Sequence, residues 1–256
     1  MSLLPLPPSL IPFLEPYLPR SNLVLPNRPF VTLTYAQSLD SRIAAKPGAQ
    51  TKISHQETKT MTHYLRSEHD GIMVGIGTVL ADDPKLNCRF VENGNTHSPR
   101  PIVLDPYAKW TYHKSQLSEI YNIGQGLAPY ILVDESVQLN PLDVATLQQQ
   151  DGKHIRLPLI KNRQQNWDYI LKALVDNGIR SVMIEGGAVI INELLSYGAD
   201  NYIIDSLIVT IGPVFLGNQG VEVSPTSHVD LEDVKWWTGQ QDSVLCATVP
   251  KAFKLD

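Results

Sequence analysis

The stretch Asp70–Arg89, which reads DGIMVGIGTVLADDPKLNCR, decides the fold class of this chain. It opens with an apolar run from Ile72 to Ile76, of the kind that forms a buried strand. Gly75 and Gly77 interrupt the run where another backbone, or a ligand, needs to come close. The stretch therefore predicts a buried strand whose end comes close to another backbone segment or to a ligand.

Polar residues gather where this strand ends. Thr78 lies where a short helix or turn can begin, and its hydroxyl can cap exposed N–H groups. Asp82 and Asp83 precede Pro84, which closes the element because proline disfavours α geometry in the residue before it. Two carboxylates, a threonine and two glycines at one strand end are more than a core strand requires. We interpret the stretch as the wall of a ligand site.

The composition is that of an ordinary globular protein with one large or two small domains: 256 residues, 43% hydrophobic and 18% charged. The formal net charge of −5 gives no broad basic surface for nucleic acid. An anionic substrate therefore has to be held by a few arginines and backbone amides. Cys88 and Cys246 belong to no CxxC pair, so we expect free thiols and a cytoplasmic location. No apolar run approaches the ~18 residues of a membrane span, and we expect no membrane partner.

Residues 1–28 form a proline-rich arm, and residues 29–256 are predicted to be one domain. The arm lacks the cationic start and the uninterrupted apolar core of a signal peptide. We expect an extended segment packed on the domain, with a disordered tail or a peptide-recognition segment as alternatives. The side chains expected to pack are Leu10, Ile11, Phe13, Leu14 and Tyr17.

Beyond the arm, strand-like runs alternate with helical ones. The strands are predicted at 30–35, 72–76, 101–104, 130–133, 154–159, 180–184 and 206–211. The helices are predicted from the capping box Ser54–Glu57, at 167–176 before Asn177-Gly178, and after Gly187. Segments 87–100 and 106–128 resemble surface connections, and Trp236, Trp237 and 244–249 suggest an antiparallel pair. This pattern predicts an α/β fold with a mostly parallel central sheet flanked by helices and an antiparallel C-terminal edge.

A second informative segment runs from Ser181 to Leu195. A strand, two glycines and a helix make an anion site, because the first N–H groups of a helix point outward without partners. The segment is not a GxGxxG motif, and a Gly-Gly turn can also be no more than a tight connection. Glu185, at the end of the strand, is placed to accept hydrogen bonds from hydroxyls of a sugar-like substrate. A nearby backbone N–H is its alternative partner.

Several segments together resemble the reductases of riboflavin biosynthesis, of the fungal and archaeal type. They are AQSLDSRIA (36–44), HYLRSEHDGIMVGIGTVLADDPKLNCR (63–89), PIVLD (101–105) and MIEGGAVIINELL (183–195). The reductase domain of the bacterial bifunctional deaminase/reductase is a more distant likeness. No His/Cys zinc pattern of the deaminase half occurs, and we expect no metal site.

The resemblance covers about residues 28–250. It implies a dihydrofolate-reductase-like fold, NADPH as the cofactor and a homodimer. The implied substrate is a phosphorylated pyrimidine, 2,5-diamino-6-ribosylamino-4(3H)-pyrimidinone 5′-phosphate, whose ribosylamino side chain is reduced to ribitylamino.

The resemblance also implies site residues. The cofactor positions are Thr78, Asp82, Gly186, Gly187, Ala188 and Val189. The substrate positions are Arg66, Leu86, Arg89 and Glu185, and Ser38 and Asp40 match the loop beside the nicotinamide. The chain departs from the family at Ser41, where glycine is usual, and at 49–54, where many relatives have a tryptophan. Lys52 in that second segment is a further substrate candidate.

The residue chemistry fits a hydride transfer, which needs no side-chain nucleophile. No GxSxG or HExxH motif occurs. Asp40 or Glu185 can assist the proton movements, with water as an equal rival. Arg66 and Arg89 can hold the substrate phosphate by bidentate bonds. The alternative for Arg66, near a helix end, is to satisfy helix carbonyls.

The residues are also compatible with two other functions. One is another NADPH-dependent reductase of the same fold, acting on a pterin-like heterocycle, which has no need for Arg66 and Arg89 together. The other is a non-catalytic nucleotide-binding or scaffold protein in which the proline-rich arm is the functional part.

Overall fold

The computed structural model describes residues 3–20, 25–91, 97–158, 163–197 and 203–250. Its main feature is a nine-stranded sheet, and a separate two-stranded sheet lies beside it. The strands are, in chain order, β1 Phe30–Gln37, β2 Arg42–Ala44, β3 Gly71–Gly75, β4 Arg100–Leu104, β5 Tyr130–Asp134, β6 Lys153–Leu157, β7 Ser181–Gly186, β8 Ser206–Ile211, β9 Val221–Glu222, β10 Glu232–Thr238 and β11 Ser243–Thr248.

The strand order of the large sheet is β10-β11-β8-β1-β7-β3-β4-β5-β6. The run from β8 to β6 is parallel, whereas β11 is antiparallel to β8 and β10 is antiparallel to β11. The central strands β1, β3 and β7 are buried on both faces, which explains their nearly continuous apolar sequences. The predicted mostly parallel sheet with an antiparallel C-terminal edge is confirmed.

Helices cover both faces of the sheet. They are α1 Leu10–Leu14, α2 Gln56–Ser67, α3 Ile76–Asp82, α4 Gln116–Asn122, α5 Pro141–Gln149, α6 Arg163–Asp176 and α7 Ala188–Tyr197. Helices α6 and α7 pack on one face, against side chains such as Val182 and Ile184. The other helices pack on the opposite face, against Met183 and Val74 among others. None of the described helices is long and apolar enough to cross a lipid bilayer.

The N-terminal arm packs against α2 and the β8–β11 end of the sheet. Leu10 and Leu14 are fully buried there, and Tyr17 is 3% exposed. The Tyr17 hydroxyl donates a hydrogen bond to the carbonyl of Asp233, which ties the arm to the edge strand β10. Ile11 is 39% exposed, so the predicted packing holds for only part of the listed side chains.

The predicted capping box of α2 is wrong, although the helix begins close to the expected position. His55 is the N-cap residue and no side chain caps it. The Glu57 carboxylate instead accepts a hydrogen bond from the backbone N–H of Gln240 at 2.7 Å, and Asp242 accepts one from the N–H of His55 at 2.7 Å. The turn between β10 and β11, which is distant in sequence, therefore supplies the hydrogen-bond partners at the start of α2.

Segment 106–128 is not a surface connection. It contains α4, and Tyr112 and Leu117 are fully buried in the core around β3, β4 and β5. Helix α5 was also not predicted, although Asn140 caps it by accepting the N–H of Leu142 at 2.9 Å. Segment 87–100 includes residues 92–96, which lie outside the described residues, as does residue 159 of the predicted strand 154–159.

Replacing Leu14 by alanine tests whether the arm belongs to the cooperative fold. Because Leu14 is fully buried, we expect Leu14→Ala to lower the free energy of unfolding by about 2–5 kcal/mol. Ile11→Ala, on the same helix but 39% exposed, is the matched control and should cost less than about 1 kcal/mol. Urea denaturation followed by circular dichroism measures both. Equal small losses would show that the arm is not part of the cooperative unit.

Candidate active site

A cavity of about 960 Å³ opens at the carboxyl ends of the central strands. Its wall includes the last residues of β1, β3, β4, β7 and β8, with Tyr35, Gly75, Leu104, Glu185 and Thr210 as examples. Ligands of open parallel sheets bind at this edge. The cavity is also large enough for an extended ligand, since drug-sized sites occupy roughly 300–1,000 Å³.

The turn from β7 into α7 forms the centre of the cavity wall. Gly186 and Gly187 have φ values of +88° and +65°, in the left-handed region that favours glycine. A Cβ atom on Gly186 would lie 2.5 Å from the side chain of Ile191, and one on Gly187 would lie 3.0 Å from the Thr78 hydroxyl oxygen. The turn therefore packs tightly beneath α7 and brings α3 beside the first N–H groups of α7, at Ala188 and Val189. Outward-pointing N–H groups at a helix start are able to bind an anion.

Asp82 ends α3 and lines the cavity. Its Oδ1 atom is buried and has no hydrogen-bond partner among the described residues. Burial raises the pKa of this carboxyl group. A buried acceptor without a partner is uncommon in native proteins, so the position favours a ligand that offers a hydroxyl or amine donor. The neighbouring Asp83 turns away with φ +40° and accepts the backbone N–H of Gln116 at 3.1 Å.

Arg66 and Glu185 lie together in the cavity wall and bind each other. Arg66 Nε and Nη2 donate to Glu185 Oε1 at 3.3 and 3.0 Å, and Nη2 also lies 3.0 Å from Oε2. Arg66 Nη1 donates to the carbonyl of Asn87 at 3.0 Å. The side chains are 13% and 21% exposed, so the pair is largely enclosed.

Of the predicted site residues, eight line this cavity: Arg66, Thr78, Asp82, Glu185, Gly186, Gly187, Ala188 and Val189. Asp40, Leu86 and Arg89 do not line it, and neither does Ser38.

Asp40 holds two loops together outside the cavity. Its Oδ1 accepts the Ser38 hydroxyl at 2.5 Å and the N–H of Leu216 at 3.0 Å, and Oδ2 accepts the N–H of Gly217 at 2.7 Å. These bonds lower the pKa of Asp40 to about 2, and the bond from Ser38 has the largest effect. A carboxylate so stabilised is a weak proton acceptor and stays ionised at neutral pH. Ser41 adopts φ +58° beside it, which explains why glycine is usual there in the resembling family.

Leu86 and Arg89 lie close in sequence to Asn87, whose carbonyl accepts a hydrogen bond from Arg66. The Leu86 side chain is 1% exposed and packs in the core with Ile72 and Val79. Arg89 is exposed, and its Nη2 lies 2.9 Å from Nε2 of the buried His63. Burial, together with the charges of Arg66 and Arg89, lowers the pKa of His63 to about 3, so this ring is neutral.

The cavity also contains residues that the sequence did not indicate. Thr34 and Tyr35 come from β1, and burial raises the pKa of Tyr35 to about 12. Asn166 of α6 carries a buried Oδ1 atom with no partner among the described residues. Lys109 comes from the segment expected to be a surface connection, and its Nζ lies 5.5 Å from the Tyr107 ring centre. No local motif marks these positions, because they meet only in the folded chain.

The described residues contain no group of three or more His, Cys, Asp or Glu side chains that could hold a metal ion.

Comparisons with known proteins agree with the geometry. The family model of the RibD C-terminal domain matches residues 29–245. A Debaryomyces hansenii protein called 2,5-diamino-6-ribosylamino-4(3H)-pyrimidinone 5′-phosphate reductase is 68% identical over 250 residues, which are 96% of this chain and 99% of that protein. The solved structure of Saccharomyces cerevisiae riboflavin biosynthesis reductase Rib7 is 43% identical, with a TM-score of 0.79 over 94% of this chain and 100% of its own. Acinetobacter baumannii RibD, 20% identical, shares the fold with a TM-score of 0.71 over 88% of this chain and 59% of its own.

Replacing Asp40 by asparagine tests its structural role through pH. The folded-state pKa of about 2 lies below the ordinary 3.8, so the ionised carboxylate stabilises the fold above about pH 4, and this contribution is lost as the pH falls towards 2. We expect Asp40→Asn to reduce stability at pH 7 and the difference from the unmodified chain to shrink below pH 4. Urea midpoints at pH 7, 4 and 3 measure it. Asp176→Asn, which removes an exposed carboxylate paired with Lys172, is the control. A pH-independent difference would contradict this role.

Proposed function

Because this chain belongs to the RibD C-terminal domain family, we propose that it is a reductase of riboflavin biosynthesis. Its substrate is 2,5-diamino-6-ribosylamino-4(3H)-pyrimidinone 5′-phosphate, and its product carries ribitylamino in place of ribosylamino. The name of the 68% identical relative supports this substrate. The observation that carries the proposal is that eight residues assigned to cofactor or substrate line one cavity at the strand ends.

The residues around the Gly186–Gly187 turn fit a dinucleotide such as NADPH. The start of α7, directly after the two left-handed glycines, offers the N–H groups of Ala188 and Val189 as donors to phosphates, and both residues line the cavity. The unpartnered Oδ1 of Asp82 matches a ribose hydroxyl or an amine, since a carboxylate does not bind phosphate. Thr78 and Asp82 of α3, with the turn, would hold the cofactor. When bound, its nicotinamide supplies the hydride that reduces C1′ of the substrate.

Glu185 is the residue that we propose to face the reacting sugar chain. It stands at the end of β7, directly before the phosphate turn, and its carboxylate is fixed by Arg66. In this position it accepts hydrogen bonds from substrate hydroxyls and can take up or release a proton there. Asp40 is disfavoured for that role by its low pKa and its place outside the cavity. A water molecule is the alternative to Glu185 as the group that transfers the proton.

The remaining expectations from the resemblance belong to the same proposal. Leu86 and Arg89 as substrate contacts, the homodimer and the cytoplasmic location stay predictions. For Leu86 only a main-chain contact is compatible with its buried side chain.

The function is tested by NADPH consumption with the purified chain. We expect turnover with the pyrimidinone phosphate and none with dihydrofolate, and we expect Glu185→Gln to reduce kcat by roughly 100-fold if the carboxylate handles a proton. NADPH affinity, measured by calorimetry, is the control and should be little changed in Glu185→Gln. Turnover of dihydrofolate alone would favour a pterin reductase, and NADPH binding without any turnover would favour a non-catalytic protein.

Gly187→Ala tests the proposed phosphate turn. The φ of +65° and the Thr78 hydroxyl 3.0 Å from the new Cβ both oppose the substitution, so the turn that carries the first N–H groups of α7 must shift. We expect a loss of about 1–3 kcal/mol in stability and at least roughly a tenfold loss of NADP⁺ affinity. Gly178→Ala is the matched control, since its φ is +83° with open space around it and it lies outside the cavity. Calorimetry measures the stability and the NADP⁺ affinity of both variants. Equal NADP⁺ affinity in the two variants would contradict the assignment.

A further inference from the structure

We propose that His63 is a positioning residue for the substrate phosphate, which holds Arg89 so that Arg89 and Arg66 can bind one phosphate together. This inference rests on the function proposed above, with both arginines as substrate contacts. It adds a residue that acts through Arg89 and does not line the cavity. The observations that carry it are the place of His63 on α2, the contacts of its two ring nitrogens and the charges around the ring.

His63 is a buried polar side chain that the proposed chemistry does not use. It lies three residues before Arg66 on α2, so the two side chains are neighbours on the helix surface. The His63 side chain is 4% exposed. Buried polar groups need hydrogen-bond partners, and here the partners of both ring nitrogens belong to one residue, Arg89.

The ring contacts both ends of Arg89. The main-chain N–H of Arg89 donates to Nδ1 of His63 at 3.1 Å, and Nη2 of Arg89 lies 2.9 Å from Nε2. Helix α2 also holds the two preceding residues: Cys88 Sγ donates to the His63 carbonyl at 3.1 Å, and Arg66 Nη1 donates to the Asn87 carbonyl at 3.0 Å. The last turns of α2 therefore fix three consecutive residues, 87 to 89, and His63 fixes the third.

An uncharged acceptor suits this position. Burial, together with the charges of Arg66, Arg89 and Lys59, lowers the pKa of His63 to about 3. A carboxylate in the same place would form an ion pair with Arg89 and offset its charge. A neutral imidazole accepts a hydrogen bond without doing so. The contact with His63 therefore holds Arg89 without neutralising it.

The two ring nitrogens cannot have the same role. A neutral imidazole has one acceptor nitrogen, and the other carries the proton. When Nδ1 accepts the main-chain N–H of Arg89, Nε2 carries the proton and accepts nothing from the guanidinium. A phosphate can then bind the guanidinium while the main-chain bond to His63 stays intact. Nδ1 is therefore the nitrogen that we assign to positioning.

Both arginines are needed for a firm grip on phosphate. The bonds of Arg66 to Glu185 and Asn87 are four donor contacts, and a guanidinium has five N–H groups, so at least one remains for a ligand. The contact with His63 involves at most one of the five N–H groups of Arg89, whose side chain is exposed. The second arginine therefore supplies the further donors that a phosphate requires.

The first experiment compares the phosphorylated substrate with its 5′-dephosphorylated form. We expect His63→Phe, which keeps a ring but has no acceptor nitrogen, to raise KM for the phosphorylated substrate by roughly tenfold. Its kcat, and its KM for the dephosphorylated form, should stay unchanged. His69→Phe is the matched control, because His69 is also buried, bonds to the Thr32 hydroxyl at 2.7 Å and lies outside the cavity. It should lose stability and keep both KM values.

The outcomes separate positioning from a purely structural role. If His63→Phe raises KM equally for both forms, the ring supports the site in general and the proposal is overturned. An unchanged KM for the phosphorylated form overturns it as well. Failure of the unmodified chain to reduce the phosphorylated substrate would instead contradict the proposed function, so the two failures are distinguishable.

Two amide variants test the assignment of the nitrogens. The amide of asparagine reaches about as far as Nδ1 of histidine, and that of glutamine about as far as Nε2. We therefore expect His63→Asn to keep KM for the phosphorylated substrate closer to that of the unmodified chain than His63→Gln does. The reverse order would overturn the assignment of Nδ1. Urea midpoints show whether each variant remains folded under the assay conditions.

A double-variant comparison tests whether His63 acts through Arg89. If it does, His63→Phe adds little to the rise in KM already caused by Arg89→Met. Multiplied effects in the double variant would show independent roles and overturn the proposal.

Discussion

The site depends on one backbone constraint, the left-handed turn of Gly186 and Gly187 at the end of β7. This strand is the middle one of the nine, with β1 on one side and β3 on the other. Helix α7 starts directly after the turn, and Ile191 packs so closely under Gly186 that a Cβ atom there would lie 2.5 Å away. Because only glycine adopts these φ values without strain, the turn fixes Glu185, the N–H groups of α7 and the Thr78 hydroxyl relative to each other.

Adjacent residues of the stretch Asp70–Arg89 serve different surfaces because the backbone has left-handed φ values at two positions within it, Asp83 and Leu86. Asp82 faces the cavity, whereas Asp83, in the left-handed region, caps the start of α4 through the N–H of Gln116. Leu86 is the second left-handed residue, and its side chain is buried. The first half of the stretch therefore forms part of the cavity wall. In the second half, the carbonyl of Asn87 accepts a hydrogen bond from Arg66. Both left-handed residues are held in place, Asp83 by its bond to α4 and Leu86 by the core.

The sequence predicted those elements whose structure is determined by residues close together in the chain. The apolar runs of β1, β3 and β7 and the Asn177-Gly178 stop of α6 could be predicted, and the alternation of strands and helices gave the mostly parallel sheet. The capping box failed because the β10–β11 turn supplies Glu57 and His55 with partners from more than 180 residues away. The sequence pointed to residues of the two strand-end turns that line the cavity, whereas Asn166 and Lys109 reach the cavity only through tertiary packing. The ion pair of Arg66 with Glu185 was not predicted, since each residue alone suggested a ligand contact.

The charged side chains of the cavity wall are nearly balanced in number. Of the described charged residues in the wall, Arg66 and Lys109 are positive, and Asp82, Glu185 and Glu193 are negative. Arg66 is compensated by Glu185 at 3.0 Å, which leaves little positive side-chain charge beside the diglycine turn. A phosphate bound there, as in the proposed function, would therefore be attracted mainly by the N–H groups and the dipole of α7. Such dipoles are fixed in direction and need no counter-charge, so in the proposed function the same wall can also present the Glu185 carboxylate to a sugar hydroxyl.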